Sequence, residues 1–375
     1  MPELEFKQTN FLVVEGFISV GPDAVTTIQL SRTIPLNEPL TEPLWETGAG
    51  LFIEDDQGNA YPLTEKDDGK YVSDSLSLPV DREYRLKITT DDEHTYSSDF
   101  LTPIITPAID SVSWTTGPEE GPIDAFEIHV ATHDPEDKIH YYQWNYEEVW
   151  ERRMRYVSAY RYENGTLIFR ESEEGKKLRK CWERASAPAL ITESTLQLQV
   201  NAISLKLISF PLHSVRLDRK YSVLVTQNAL SQEVYNYLQL MKKNSTSLGT
   251  FFDPQPSELY GNIRSTNSSE PVIGYMGVYQ PSSVRLTIFG RDEIPWWHYD
   301  PHCNVFLVST HPDSLLKYFG SYVNIPLIPV GTPPPSAITG THKSCVDCRT
   351  WGGNNEKPPF WDNGEEEEEE EEEEN

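Results

Sequence analysis

The chain has 375 residues, room for two or three domains with separate cores, and an ordinary 37% hydrophobic content. It contains no run of about 18 apolar residues, which excludes a membrane-spanning helix. Its formal net charge of −28 excludes the basic footprint that nucleic-acid binding needs, so no nucleic-acid partner is expected.

The start, Met1-Pro2-Glu3-Leu4-Glu5, has neither the basic n-region nor the apolar h-region of a signal peptide. From there, period-2 patterning dominates. "FLVVEGFISV" (11–20) and "AVTTIQLS" (24–31) read as strands joined through Gly21-Pro22-Asp23. "GLFIEDDQGNAYPLT" (50–64) is a second hairpin turning at Asp56-Gln57-Gly58-Asn59. In "REYRLKITT" (82–90), Tyr84, Leu86 and Ile88 share one face and Arg85, Lys87 and Thr89 the other. Short strands spaced by turn signals, with no helical pattern between them, predict an immunoglobulin-like β-sandwich over residues 1–105. "LTPIITPAID" (101–110) reads as a stiff, proline-bearing connector.

A larger β-rich domain with one or two short helices is expected over 106–363, which makes the fold class mainly all-β. "AFEIHVATHDPED" (125–137) alternates Phe126, Ile128 and Val130 against Glu127, His129 and Ala131. "HYYQWNYEEVW" (140–150) carries five aromatics on a strand-like run. The charged, irregular stretch 151–190 reads as a long exposed hairpin or insertion turning at Asn164-Gly165. "STLQLQVNAISLKLISFPL" (194–212) and "KYSVLVTQ" (220–227) return to strand. A helix is predicted over 231–243: Ser231 can cap it, and Val234, Tyr237, Leu238 and Met241 fall at helical spacing. A shorter one runs from Pro312 to Tyr318, capped by His311 or Asp313. Residues 251–263, 271–279 and 283–290 are again β with turns. The run Glu365–Glu374 holds ten charges, leaving −28 + 10 = −18 for the body. Residues 364–375 are therefore expected to be a disordered poly-Glu tail.

Near the C-terminus, "THKSCVDCRTWGGNNEKPPFW" poses a choice between metal and disulfide. His298, His302, Cys303, His342, Cys345 and Cys348 are six potential zinc ligands in two clusters. Only one side carries a Cys-x-x-Cys pair, whereas two-knuckle zinc sites carry such a pair on both. The even count, Cys181, Cys303, Cys345 and Cys348, in a chain of extracellular character favours two disulfides. Three pairings are possible. Cys345 and Cys348 are close enough together that each is expected to reach elsewhere, to Cys303 and Cys181. Phe360 and Trp361, stiffened by Pro358-Pro359, are expected to plug a groove on the second domain. The acidic clusters at 55–56, 67–68, 91–93 and 134–137 lack calcium-loop spacing and read as turn chemistry. No G-x-S-x-G, H-E-x-x-H, P-loop or G-x-G-x-x-G occurs, so no catalytic residue and no cofactor is expected.

"FLVVEGFIS", "TTIQLSRT", "RKYSVLVTQNALSQEVYNYLQLMKK", "FFDPQPSELYGNI", "PVIGYMGVY" and "CVDCRTWGGNNEKPPFW", in this order, resemble the Bacteroidota lipoprotein family catalogued as domain of unknown function 4249. The resemblance implies a lipid anchor upstream of residue 1 and an outer-membrane, cell-surface location. It also implies a non-enzymatic role as accessory or substrate-capturing partner of a TonB-dependent transporter. A second reading is a stand-alone glycan- or peptide-binding adhesin, with Tyr141, Tyr142, Trp144, Trp296 and Trp297 as candidate ligand-stacking residues. A third is a zinc-dependent hydrolase built on His298, His302 and His342.

Overall fold

A computed structural model describes residues 10–34, 43–117, 125–246, 261–267, 270–294 and 302–361. The fold is mainly β, as the alternation requires. The hairpin Leu12–Ser19 with Thr27–Arg32 pairs Phe17 opposite Thr27. Its connection is wider than a tight turn, because Gly21–Ala24 leaves to pair with Leu76–Leu78. The second hairpin, Gly50–Asp55 with Ala60–Glu65, forms as expected. Tyr84, Leu86 and Ile88 are all buried in one core with Leu12, Ile28, Leu51 and Tyr71. Among the described residues up to 100 there is no helix.

Residues 1–105 do not close this unit alone. Val272–Ile273 and Val278–Gln280 pair in parallel with the first strand, Leu12 opposite Val272 and Ile18 opposite Val278. Ile263–Ser265 pairs antiparallel with Thr95–Ser98 at the other end of the ladder. Glu270 pins the returning segment, accepting from Arg32 at 2.8 Å and from the Tyr96 hydroxyl at 2.5 Å. Parallel pairing between segments so far apart leaves no local pattern, since each short run reads only as a strand.

The second unit packs two sheets face to face. Ile109–Thr116, Ala125–His133 and Ala202–Pro211 form one. The long strand Tyr141–Arg153 centres the other, flanked by Lys180–Ser186 with Ile191–Ser194 and by Lys220–Ala229, which pairs in turn with Ser282–Phe289. Phe126, Trp144, Phe210, Tyr221, Val223 and Ile288 meet between them. The helix Gln232–Thr246 follows, with the Ser231 hydroxyl accepting from the Val234 amide at 3.3 Å. It buries Val234 in a cluster that also holds Phe17, Ile104 and Tyr279 of the first unit, and the buried Tyr237 ring lies 5.4 Å from Tyr275 of the same cluster.

The charged stretch 151–190 is not one hairpin. Its first residues extend the strand Tyr141–Arg153 and its last belong to Lys180–Ser186. A short hairpin, Tyr160–Glu163 with Thr166–Phe169, does turn at Asn164-Gly165, both at positive φ (49° and 85°) as a two-residue turn demands. A helix, Ser172–Arg179, follows it. The expectation of one or two helices is thus corrected: the described residues also hold this helix and a single turn at Gly290–Glu293. A third small sheet, Phe306–Ser309, Asn324–Val330 and Ala337–His342, carries the helix Pro312–Phe319. The tail 364–375 lies outside the described residues.

Candidate functional site

The Cys-x-x-Cys pair is a double staple. Cys348 bonds Cys181 on the strand Lys180–Ser186, with Cα atoms 5.7 Å apart, and Cys345 bonds Cys303, with Cα atoms 5.8 Å apart. Both separations suit a disulfide. All four thiols are consumed, so none can hold zinc as thiolate. His342 is exposed, and its Nδ1 accepts the Ser344 amide at 3.2 Å, capping the short turn Lys343–Cys345. His302 is exposed at φ 47°. His298 lies outside the described residues. Among the described residues no group of three or more His, Cys, Asp or Glu is placed to hold a metal ion.

Beyond the staple, the chain straps across the second unit. Asn354 bridges Trp182 main chain to main chain. The Asn355 amide donates to the carbonyls of Lys177 and Lys180 at 2.5 and 2.8 Å. Trp361 is fully buried beside Val149 and Trp182, and the buried Lys220 ammonium donates to its carbonyl. The half-buried Phe360 ring lies 3.5 Å from the Arg285 guanidinium. The strap explains why both faces of Glu148–Arg152 are buried: one looks into the core and the other is roofed.

The stacking candidates are corrected by burial. Tyr142 and Trp144 are 0% and 1% exposed. Their spacing of two puts both on the face that packs against the second sheet, and the Trp144 indole donates to Gln227 at 2.8 Å. Tyr141 points the other way but is covered by Tyr235, with centroids 4.7 Å apart. Trp296 and Trp297 lie outside the described residues.

The staple also builds one wall of a cleft of about 460 Å³. The hairpin Tyr160–Phe169 contributes Arg161, the helix Ser172–Arg179 contributes Glu174 and Lys177, and Arg170 comes from the link between the two. Opposite stand Lys343, Asp347 and Arg349, which flank Cys345 and Cys348 in sequence. Arg161 bonds Glu174 at 2.9 Å and Glu163 at 3.1 Å, and Arg170 also bonds Glu174. Asp347 takes Arg349 through both oxygens, at 2.8 and 3.0 Å. Burial pushes the Asp347 carboxyl up, but the Arg349 donors outweigh it and hold the group below its ordinary value. Lys343 reaches Asp347 only at 4.0 Å, and among the described residues no ion pair engages Lys177. Tyr162, Leu178, Phe319 and Ile325 supply an apolar lining, and Tyr322 stands 65% exposed at the edge.

Sequence reasoning had no access to this cleft. Lys177 comes from a segment far in the chain from Lys343 and Arg349, and the three match no spacing rule. One local signal was present: basic residues stand two before Cys345 and one after Cys348.

Fold and site together define a disulfide-stapled all-β protein. Residues 1–285 match the family described as Domain of unknown function (DUF4249), and the chain belongs to it. The match ends before the stapled segment, so one wall of the cleft lies within it and the other beyond. No curated protein matches the chain. Among solved structures, the adhesin InvE of Yersinia pseudotuberculosis is similar over 60% of this chain and 57% of its own, at 10% identity and a TM-score of 0.16, too low to carry an argument.

Proposed function

We propose that the chain is a non-enzymatic Bacteroidota lipoprotein of the outer-membrane surface, anchored by lipid upstream of residue 1. In this reading it serves as accessory or substrate-capturing partner of a TonB-dependent transporter. The observation that carries the extracytoplasmic part is the pair of disulfides, since such bonds persist in oxidising compartments and are rare in reducing ones. The family relationship and the resemblance support the anchor and the partner. The competing adhesin reading loses Tyr142 and Trp144 as stacking faces, because both are core residues.

The test is co-purification of the tagged protein from native outer membranes under mild detergent. A transporter β-barrel in stoichiometric yield is the expected result. Its absence, together with saccharide hits on a glycan array, would replace this reading with the adhesin.

A further inference from the structure

We propose that the cleft between the helix Ser172–Arg179 and the stapled segment Lys343–Arg349 binds a small organic anion, a carboxylate or phosphate carried on a compact ring or chain.

Charge is the first argument. The formal net charge of the chain is −28, yet this cleft is lined by Arg161, Arg170, Lys177, Lys343 and Arg349 against three acids, Glu163, Glu174 and Asp347. The lining thus totals 5 − 3 = +2 where the chain average is strongly negative. Local pairing sharpens this. Glu163 and Glu174 neutralise Arg161 and Arg170, and Asp347 is taken bidentately by Arg349. The surplus therefore resides on Lys177 and Lys343, one on each wall. An anion entering this cleft would be attracted by both ammonium groups, with part of that attraction screened by solvent because Lys343 is 45% exposed.

Shape and rigidity are the second argument. About 460 Å³ falls in the usual range for small-molecule sites, and the mix of apolar lining with a few converging polar groups is typical of them. The Lys343–Arg349 wall is tied by Cys345–Cys303 and Cys348–Cys181, and the second bridge lands two residues beyond the helix that carries Lys177. Both cationic walls are thereby held before a ligand arrives, which lowers the ordering cost of binding. Burial of Phe319 and Tyr162 fixes the floor, and the exposed Tyr322 ring offers a face to a ligand ring.

Calorimetric titration of the purified chain at low ionic strength tests this, using glucuronate, citrate and inorganic phosphate, with glucose as the neutral counterpart of glucuronate. The inference does not rest on the transporter partnership, because the titration needs only the purified chain. At least one anion should bind with a Kd tighter than ~10 mM, and added salt should weaken it. Glucuronate binding should exceed glucose binding, or phosphate should bind where neither sugar does; the two outcomes tell a carboxylate site from a phosphate site. Lys177→Ala and Lys343→Ala should each weaken the bound anion roughly tenfold, and Lys177→Arg should retain most of the affinity. Both lysines project to solvent, so the melting temperature should stay unchanged. The inference is overturned if none of the three anions binds, or if binding survives both alanine substitutions.

Discussion

Trp361 stands edge-on to Trp182, with ring centroids 6.5 Å apart and planes at 84°. The contact joins the last described residue of the chain to a strand 179 positions earlier (361 − 182). The segment between Cys348 and Trp361 has no helical or strand period. It is held in place by a covalent bond at one end and a buried indole at the other.

Trp361→Ala should therefore destabilise the protein by about 3–5 kcal/mol, the usual loss for a large aromatic removed from a packed site. Phe360→Ala should cost less, because its ring is half-exposed and contributes mainly the contact with Arg285, about 1 kcal/mol. Urea unfolding of both variants checks the order. Equal losses would mean that the strap is not anchored through Trp361.

Opening the staples should act unequally on folding but alike on metal. The Cys181–Cys348 bridge spans 167 residues and Cys303–Cys345 spans 42. Loop closure favours the longer one modestly, with about 2–4 kcal/mol expected for each. Paired Cys181→Ser/Cys348→Ser substitution should lower the melting temperature at least as much as Cys303→Ser/Cys345→Ser. A chelator should change nothing, and a chelator-sensitive melt would contradict the staple.

Gly340 sits where a side chain has no room. A Cβ there would lie 2.8 Å from Phe319 Cε1 and 2.9 Å from Phe306 Cε2. Phe319 is buried against Leu315 and Ile338, so it cannot swing away freely. Gly340→Ala should cost about 1–3 kcal/mol by overpacking and should disturb the cleft floor, of which Phe319 is part. An unchanged urea midpoint would show that the site yields without strain.

Local alternation made the N-terminal sheet legible in the sequence: Phe126, Ile128 and Val130 follow the same rule in the second unit, and all three are buried. The helix Gln232–Thr246 was legible from its cap and its apolar spacing. The helix Ser172–Arg179 was not. Its sequence, SEEGKKLR, has Gly175 at its centre and Leu178 as its one large apolar residue, so no amphipathic period shows. An added Cβ at Gly175 would sit 3.6 Å from Val157 Cγ1, an ordinary van der Waals contact, so packing does not require the glycine. Pairings such as Leu12 with Val272, and the placing of Lys177 and Lys343 in the lining of one cleft, depend on tertiary closure and leave no mark at the scale of a sequence window.

Acid should weaken the fold through its aspartate turns. Asp55 closes the hairpin turn after Gly50–Asp55. Its Oδ1 accepts the amides of Gln57 and Asn59 at 3.0 and 2.8 Å, and its Oδ2 accepts the Asn59 side chain at 2.7 Å and Arg82 at 2.8 Å. Burial alone would raise this carboxyl; the Asn59, Arg82 and Gln57 donors outweigh burial and hold it down at about 2, against an ordinary 3.8. Asp134 is shifted the same way: burial raises it, and the amides of Ile139, Lys138 and Glu136 lower it further. A carboxyl whose pKa is lower in the folded chain stabilises the fold fully above its unfolded pKa. That contribution is lost as pH falls from about 4 through about 2. Asp55→Asn removes the charge, so the stability gap between wild type and variant should be widest at neutral pH and narrow towards about pH 2. Urea unfolding across that range measures the gap. If it stayed constant with pH, the Asp55 turn would not be the group that acid releases.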